Sequence, residues 1–120
     1  MIRSAVPKRG DVYWIDPNPA AGREMKDWHC FVVITPQPIN MLGVSMTVPI
    51  TTDGDFTRRA GLAVAVTGHA INGVALCNQV RSFDIPARVQ QKRARYQETL
   101  DSATMDAIID RVLSAIDPAT

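Results

Sequence analysis

The stretch Gly10-Asp-Val-Tyr-Trp-Ile-Asp-Pro-Asn-Pro19 decides the predicted fold. Its centre, Val12 to Ile15, is rich in β-branched and aromatic residues, which favour a β-strand. Gly10 and Asp11 before the centre are turn residues, and the two prolines after it cannot donate a hydrogen bond to a sheet. The stretch therefore predicts a short strand that is closed at both ends.

Four more apolar stretches along the chain are bounded by turn residues: Phe31–Thr35, Gly43–Ile50, Leu62–Val66 and Gly73–Val80. Short strands with frequent turn signals are typical of a small, strongly bent sheet or barrel. Three longer loops are predicted between these elements, at Asp16–Cys30, Thr51–Ala60 and Arg81–Tyr96. Long loops on a small rigid sheet are common places for binding and catalysis.

The C-terminal segment predicts an amphipathic helix. Its apolar residues recur at helical spacing: Met105, Ile108, Ile109, Val112, Leu113 and Ile116. Asp101 is the predicted N-cap, and Asp117-Pro118 ends the helix. Because the apolar face needs a partner, we expect the helix to pack on the sheet or on another chain. Residues 1–120 therefore predict a single α+β domain that is mostly β.

The composition limits the class of protein. The 120 residues include 13 Lys and Arg against 12 Asp and Glu, a net charge of +1, which excludes a uniformly basic nucleic-acid coat. Two cysteines cannot form the disulfide framework of a small secreted domain. The apolar runs are far shorter than a membrane span of about 18 residues, and the N-terminus lacks the apolar core of a signal peptide. We therefore expect a cytoplasmic protein without a membrane contact.

The charge is unevenly distributed along the chain. Pro86 to Gln97 contains four cations and no acid, whereas the chain from Glu98 onward contains five acids and one cation. Clustered charges are often only a solvated surface. Here the uneven distribution is compatible with a local cationic groove beside an acidic helix, although the net charge is close to zero.

Common catalytic motifs are absent from the sequence. It contains no glycine-rich phosphate loop, no Gly-x-Ser-x-Gly elbow and no Cys-x-x-Cys pair. His29 and Cys30 are adjacent, which does not match the ligand spacing of a zinc site. Cys77 lies in an apolar stretch and is interpreted as a small buried hydrophobe. We expect neither a metal nor a cofactor.

Several motifs between Pro7 and Arg88 occur together in a fixed order: Pro7-Lys-Arg-Gly-Asp11-Val-Tyr-Trp14, Pro19-x-x-Gly22-Arg-Glu24, Val32-Val-Ile-Thr-Pro36, Val48-Pro-Ile-Thr51-Thr and Asn78-Gln-Val-Arg-Ser82-x-Asp84. In this order and spacing the chain resembles the MazF/PemK toxins (Kid- or ChpB-like) of type II toxin–antitoxin systems. The resemblance implies a small SH3-like barrel of about five to seven antiparallel strands with a C-terminal amphipathic helix. It also implies a homodimer.

The resemblance further implies an activity and two partners. Toxins of this family are metal-independent endoribonucleases that cut single-stranded mRNA at short sequence motifs, through attack of the RNA 2′-hydroxyl. A cognate antitoxin neutralises them by placing a disordered acidic tail across the RNA groove. The reaction needs a proton acceptor, a proton donor and a group that stabilises charge on the phosphate. It needs no metal, because the RNA supplies the nucleophile.

Two residues match catalytic positions of the family, and a third candidate, Arg23, stands where relatives have histidine, serine or another polar residue. Thr51 corresponds to a threonine that hydrogen-bonds the scissile phosphate; taken alone, it is a turn residue that ends a strand. Glu24 corresponds to a glutamate that positions the catalytic cation or transfers a proton, and a solvated loop carboxylate is the plain alternative. Arg23 is interpreted as a phosphate contact, and the alternative is a solvated arginine without a role in the site.

The stretch Trp28-His29-Cys30 departs from the family pattern. Many members carry an arginine just before the second strand, and this chain has no arginine between Arg23 and Arg58. One interpretation is that His29 replaces it, because an imidazole is a competent general acid or base. The other is a weakened or inactive toxin that binds antitoxin or RNA without turnover. Arginine and histidine are not equivalent at a phosphate, since only arginine offers a permanent bidentate fork.

The remaining candidate residues concern RNA binding. Trp28 is interpreted either as a stacking surface for an unpaired base or as an apolar lid on the barrel, and Trp14 as core or dimer interface. Asn78 and Gln79 lie at the end of an apolar strand and are interpreted as amides that face a groove and read base edges. Phosphate contacts are expected from cations of two loops, although each of these also fits simple exposure: Arg58, Arg59 and Arg81.

Overall fold

The computed structural model describes residues 6–52 and 61–117. In these ranges the chain forms seven strands: β1 (Asp11–Ile15), β2 (His29–Val33), β3 (Ser45–Thr51), β4 (Ala63–Thr67), β5 (Asn72–Leu76), β6 (Arg81–Phe83) and β7 (Ala94–Thr99). It also forms three helices: α1 (Gln37–Asn40), α2 (Ile85–Gln90) and α3 (Ser102–Ile116).

The strands form one antiparallel sheet in the order β4-β5-β3-β2-β1-β7. β3 pairs with β2 through Thr47 to Ile50, with β6 through Ser45 to Thr47, and with β5 through Ile50 and Thr51. Because this one long strand pairs with three neighbouring strands, the sheet bends around it. The prediction of a mostly-β fold with about five to seven antiparallel strands and a C-terminal helix is confirmed.

Both faces of the central strands are buried. Val12 and Val32 belong to a cluster with α3, whereas Tyr13 and Phe31 belong to a second cluster with Phe83. Alternate residues of a strand point to opposite faces, so β1 and β2 supply both clusters. This double burial explains why their sequences are continuously apolar.

Trp14 does not lie in the core. It is half-buried and belongs to neither cluster, so the core interpretation is wrong. Its side chain lies against the ring of Trp28, with the ring centroids 6.3 Å apart and the planes at 24°. The strand pattern alone misplaced this residue because a tryptophan in an apolar strand resembles a core residue.

Helix α3 begins where the sequence predicts. The Asp101 carboxylate accepts a hydrogen bond from the Thr104 amide at 2.8 Å, which confirms the predicted N-cap. Met105, Ile108 and Val112 are buried, and the helix packs on β4. The predicted apolar face is wider than the buried one, because two of its members are 59% and 68% exposed: Leu113 and Ile116. No helix within residues 6–52 and 61–117 has the length and apolar character to cross a bilayer.

The predicted loop Arg81–Tyr96 is wrong, because it contains β6, α2 and the start of β7. A three-residue strand such as β6 is too short to show alternation in the sequence. Asp84 caps α2 by accepting from the Ala87 amide at 3.0 Å, and Pro86 occupies its first turn. The predicted strand Gly73–Val80 is too long, since β5 ends at Leu76 and a turn follows.

Glu98 of β7 holds the turn between β4 and β5. Its carboxylate accepts hydrogen bonds from the amides of His69, Ala70 and Ile71 at 2.8–2.9 Å. A Cβ atom at Gly68 would lie 2.5 Å from Glu98 Oε1, so glycine is needed for this close approach. Burial opposes ionisation, but the three amide bonds and the charge of His69 outweigh it and hold the pKa of Glu98 below its usual value.

We expect Glu98→Gln to lower the free energy of unfolding by about 1 kcal/mol at pH 7, because it removes charge-assisted hydrogen bonds. A lowered folded-state pKa gives stability that is full above the unfolded-state value, 4.5, and is lost as the pH falls through the folded-state value. Urea unfolding should therefore show that the free energy of unfolding falls less between pH 7 and pH 3 in the variant than in the wild type. Asp106→Asn, on the exposed side of α3, is the matched control. An equal decrease in the free energy of unfolding between pH 7 and pH 3 in Glu98→Gln and the wild type would contradict this role.

Candidate active site

Two arginines fix the loop that follows β1, residues 16–28. Arg88 of α2 donates to the Asp16 carbonyl at 2.6 Å, and Arg93 donates to the Asn18 carbonyl at 2.8 Å. Arg93 also forms an ion pair with the Asp16 carboxylate at 3.3 Å. Burial, then the nearby charges of Arg93 and Arg81, lower the pKa of Arg88. These two cations, from the basic segment Pro86–Gln97, therefore hold the fold of the loop.

Arg81 lies at the base of the same loop. One guanidinium nitrogen, Nη2, donates to the Pro19 carbonyl at 3.2 Å, and the group lies 5.0 Å from the centre of the Phe83 ring. The other nitrogen, Nη1, is buried and has no hydrogen-bond partner among the described residues. A buried donor without a partner is unfavourable, and such a group is commonly satisfied by an ordered water or ion.

Arg81 lines a groove of about 650 Å³ between this loop and the turn after β5, which we call the loop groove. Gln79 Oε1 accepts from the Met25 amide at 3.0 Å and joins the two walls. Glu24 Oε1 accepts from the Ala21 amide at 3.0 Å, so this carboxylate also closes a local turn. The groove gathers five of the predicted site residues: Arg23, Glu24, Asn78, Gln79 and Arg81.

A second, smaller cavity of about 290 Å³, which we call the Thr51 cavity, is lined by three more of the predicted residues: Trp28, His29 and Thr51. His29 begins β2 and Thr51 ends β3, and the pairing of Cys30 with Ile50 brings these strand ends together. Gly73 of β5 allows the neighbouring strand to approach, because a Cβ there would lie 2.5 Å from the Thr51 carbonyl oxygen.

The hydrogen bonding of His29 indicates which ring nitrogen is available. Nδ1 lies 3.2 Å from the Asp27 carbonyl oxygen, and a carbonyl can only accept, so Nδ1 carries the proton of this bond. In the neutral ring Nε2 is then the acceptor. The ring is half-buried and lines the Thr51 cavity, where an acceptor nitrogen can take a proton from a bound hydroxyl.

The thiol beside His29 is not a nucleophile at neutral pH. Burial and then the charge of Glu98 raise the pKa of Cys30 to about 11. Burial also raises the pKa of Cys77 to about 11, against a smaller opposite effect of Arg111. Only a thiolate attacks effectively, so neither cysteine supports covalent catalysis. Cys77 is fully buried, as the sequence predicts.

The structure divides the predicted site residues between two cavities rather than one. Thr51 and His29 share the smaller cavity, whereas Glu24 and Arg23 line the loop groove. Arg58 and Arg59 lie outside the described residues. Sequence reasoning missed the Gln79–Met25 bond and the internal roles of Arg88 and Arg93, because each partner is distant in sequence and no motif marks the pairing.

Comparisons with known proteins are consistent with this geometry. Residues 8–116 match the family model for the PemK-like, MazF-like toxin of type II toxin–antitoxin systems. Over 101 residues the chain is 33% identical to the endoribonuclease PemK of Escherichia coli, which covers 82% of this chain and 76% of the relative.

Two solved structures have a similar fold. MazF from Deinococcus radiodurans superposes with a TM-score of 0.78 at 22% identity, covering 94% of this chain and 98% of that one. A MazE–MazF structure from the same organism gives a TM-score of 0.73 at 21% identity, covering 97% and 100%. The bent antiparallel sheet with its C-terminal helix is thus the fold seen in these MazF structures. The chain belongs to the PemK-like and MazF-like family of toxins of type II toxin–antitoxin systems.

Proposed function

We propose that this chain is an endoribonuclease toxin that cuts single-stranded mRNA at short sequence motifs. The observation that carries the proposal is the Thr51 cavity, where a hydroxyl residue and an imidazole from two neighbouring strand ends line one space in a chain of this family. Its relatives PemK and MazF are named endoribonucleases. The RNA itself supplies the nucleophile, so the reaction needs no metal.

The chemistry follows from the groups in the cavity. The RNA O2′ forms a bond to phosphorus while the bond from phosphorus to O5′ breaks, leaving a 2′,3′-cyclic phosphate and a 5′-hydroxyl. His29 Nε2, which lines the same cavity as Thr51, accepts the proton that leaves O2′, and Glu24 or solvent supplies the proton that O5′ takes up. The Thr51 hydroxyl donates to a phosphate oxygen, where charge develops.

The loop groove binds the neighbouring part of the RNA in this proposal. Arg81 lines this groove, and its guanidinium is suited to a phosphate oxygen. Arg23 adds a second cation, and Glu24 either positions these cations or transfers the second proton. Asn78 and Gln79 offer amide groups for base edges.

A non-catalytic binding module is the second candidate function. It is favoured by His29, which stands where many family members carry an arginine. Incubation of the purified chain with a long mRNA in EDTA distinguishes the two candidates. Discrete cuts support the enzyme, whereas intact RNA at high protein concentration contradicts it and favours the binding module.

The proposal includes a homodimer. Five large apolar side chains from α1 to the start of β3 are 37–82% exposed and form the surface that we call the 39–46 patch: Ile39, Met41, Leu42, Val44 and Met46. Exposed apolar patches of this kind mark interaction surfaces. The buried Asn40 fixes the patch, because its amide donates to the Pro7 and Thr35 carbonyls at 2.9 Å.

We expect Leu42→Glu to convert the dimer to a monomer, because an unpaired carboxylate buried at an interface is strongly unfavourable. Leu42 is 82% exposed within the chain, so the substitution should leave the fold of the protomer intact. Sedimentation velocity measures the change. Ile116→Glu, at a residue 68% exposed on α3, is the matched control that should stay dimeric. A dimeric Leu42→Glu protein would contradict the assignment of this patch.

The second partner in the proposal is a cognate antitoxin. A structurally similar endoribonuclease from Mycobacterial species has been solved in complex with its cognate antitoxin. Arg23 and Arg81 of the loop groove complement the charge of an acidic tail. We place the protein in the cytoplasm, where its proposed substrate is found.

A further inference from the structure

A third cavity lies on the other side of the tryptophan pair. It has a volume of about 560 Å³ and is lined by Trp14, Trp28, Val89, Lys92, Ala94 and Arg95; we call it the tryptophan groove. Trp14 and Trp28 also line the Thr51 cavity. The two indoles therefore form a wall shared by the proposed reaction centre and this groove.

The tryptophan pair presents a flat aromatic surface. Trp14 lies in β1, where its neighbours across the sheet are Cys30 and Arg95. Trp28 precedes β2, is 37% exposed and stacks nearly parallel to Trp14. An indole this accessible, already held by a second indole, is preorganised to stack on another planar ring.

The rim of the groove is cationic. Lys92 lies in the turn after α2 and Arg95 on β7, and both side chains are exposed. Neither forms an ion pair with a carboxylate in the described part of the chain, in contrast to Arg93, which pairs with Asp16. The described lining of the groove contains no acid. Of the four cations in the basic segment, these two remain available to a ligand.

We propose that the tryptophan groove binds a nucleotide that flanks the cleaved bond, with its base stacked on Trp28 and a phosphate held by Lys92 and Arg95. This inference rests on the proposed function and extends the RNA path beyond the Thr51 cavity. Stacking on an aromatic ring accepts any base, so the subsite adds affinity without adding sequence preference. Flat aromatic rings beside two unpaired cations match the alternation of bases and phosphates in a single strand better than they match a protein surface.

The two tryptophans are the only ones in the chain, so intrinsic fluorescence reports on the wall that this groove shares with the Thr51 cavity. We expect a mixed-sequence, fully 2′-O-methylated single-stranded RNA, which cannot be cleaved through O2′, to quench the emission of the wild-type dimer. Trp28→Leu should weaken binding, measured by anisotropy of a labelled strand, by about 10-fold. The double variant Lys92→Ala/Arg95→Ala should reduce the slope of log binding constant against log salt concentration by about 2, which corresponds to two fewer counterions released on binding. Lys8→Ala, near the opposite end of β1, is the matched charge control and should bind like the wild type.

Binding of the blocked RNA is measured without turnover, so it separates this inference from the proposed activity. A chain that binds and quenches but does not cut supports the subsite and contradicts the enzyme. If the wild-type chain cuts RNA while Trp28→Leu and the double variant bind RNA as tightly as the wild type, the subsite is contradicted and the proposed enzymatic activity is not. Loss of dimer or of antitoxin binding in these variants, with RNA affinity unchanged, would identify a protein interface and overturn the proposal.

Discussion

Thr51→Ala is expected to reduce the rate of RNA cleavage by about 10²–10³-fold, the usual cost of removing one donor that stabilises developing charge. The substitution deletes only the hydroxyl and methyl of a half-buried residue at the end of β3. The backbone pairing of residue 51 with Val74 does not depend on the side chain. The loss should therefore appear in the cleavage rate under single-turnover conditions and not in RNA affinity.

Thr51→Ser is the matched control, because it keeps the hydroxyl and removes only the methyl group. It should retain cleavage within about 10-fold of the wild type. If Thr51→Ala cuts as fast as Thr51→Ser, while both proteins melt at the wild-type temperature, Thr51 has no role in the reaction.

His29→Gln is expected to reduce cleavage by about 10²-fold or more, because glutamine can hydrogen-bond but cannot transfer a proton at neutral pH. Glutamine is close to histidine in size and retains a donor for the Asp27 carbonyl, the described partner of the imidazole. RNA affinity should change little. Single-turnover cleavage of a fixed mRNA fragment measures the effect.

His29→Arg separates the two interpretations of this position. If histidine does the work of the family arginine with lower efficiency, the arginine variant should cut at least as fast as the wild type, since a guanidinium holds a phosphate oxygen with permanent charge. An inactive wild type that gains activity in His29→Arg identifies a weakened toxin. Unchanged, efficient cleavage in His29→Gln would contradict any proton-transfer role for His29.

Elements with local signals were predictable from the sequence. β1 is bounded by Gly10 and by prolines that cannot join a sheet, and α3 has both a capping residue, Asp101, and apolar residues at helical spacing. β6 has three residues, and its place beside β3 depends on contacts more than 30 residues away in sequence. Such an element has no local pattern to recognise.

The site was predictable only in part. The resemblance selects Thr51 and Glu24, but the register of β2 on β3 and the fold of loop 16–28 decide which residues share a cavity. Arg88 reaches across 72 residues to Asp16, and Arg93 reaches across 75 to Asn18. The sequence shows four similar cations in this segment, and only the folded chain separates the two that hold the loop from the two on the tryptophan groove.

The chemistry of the cut ends tests the central claim most directly. The purified chain is incubated with a long mRNA in EDTA, and the repurified products are treated with polynucleotide kinase, magnesium and γ-labelled ATP, with and without prior phosphatase. Attack by the RNA 2′-hydroxyl predicts discrete cuts whose 5′ ends accept label without phosphatase, together with 2′,3′-cyclic phosphates on the upstream fragments. Intact RNA, or cuts whose 5′ ends accept label only after phosphatase, would contradict this account.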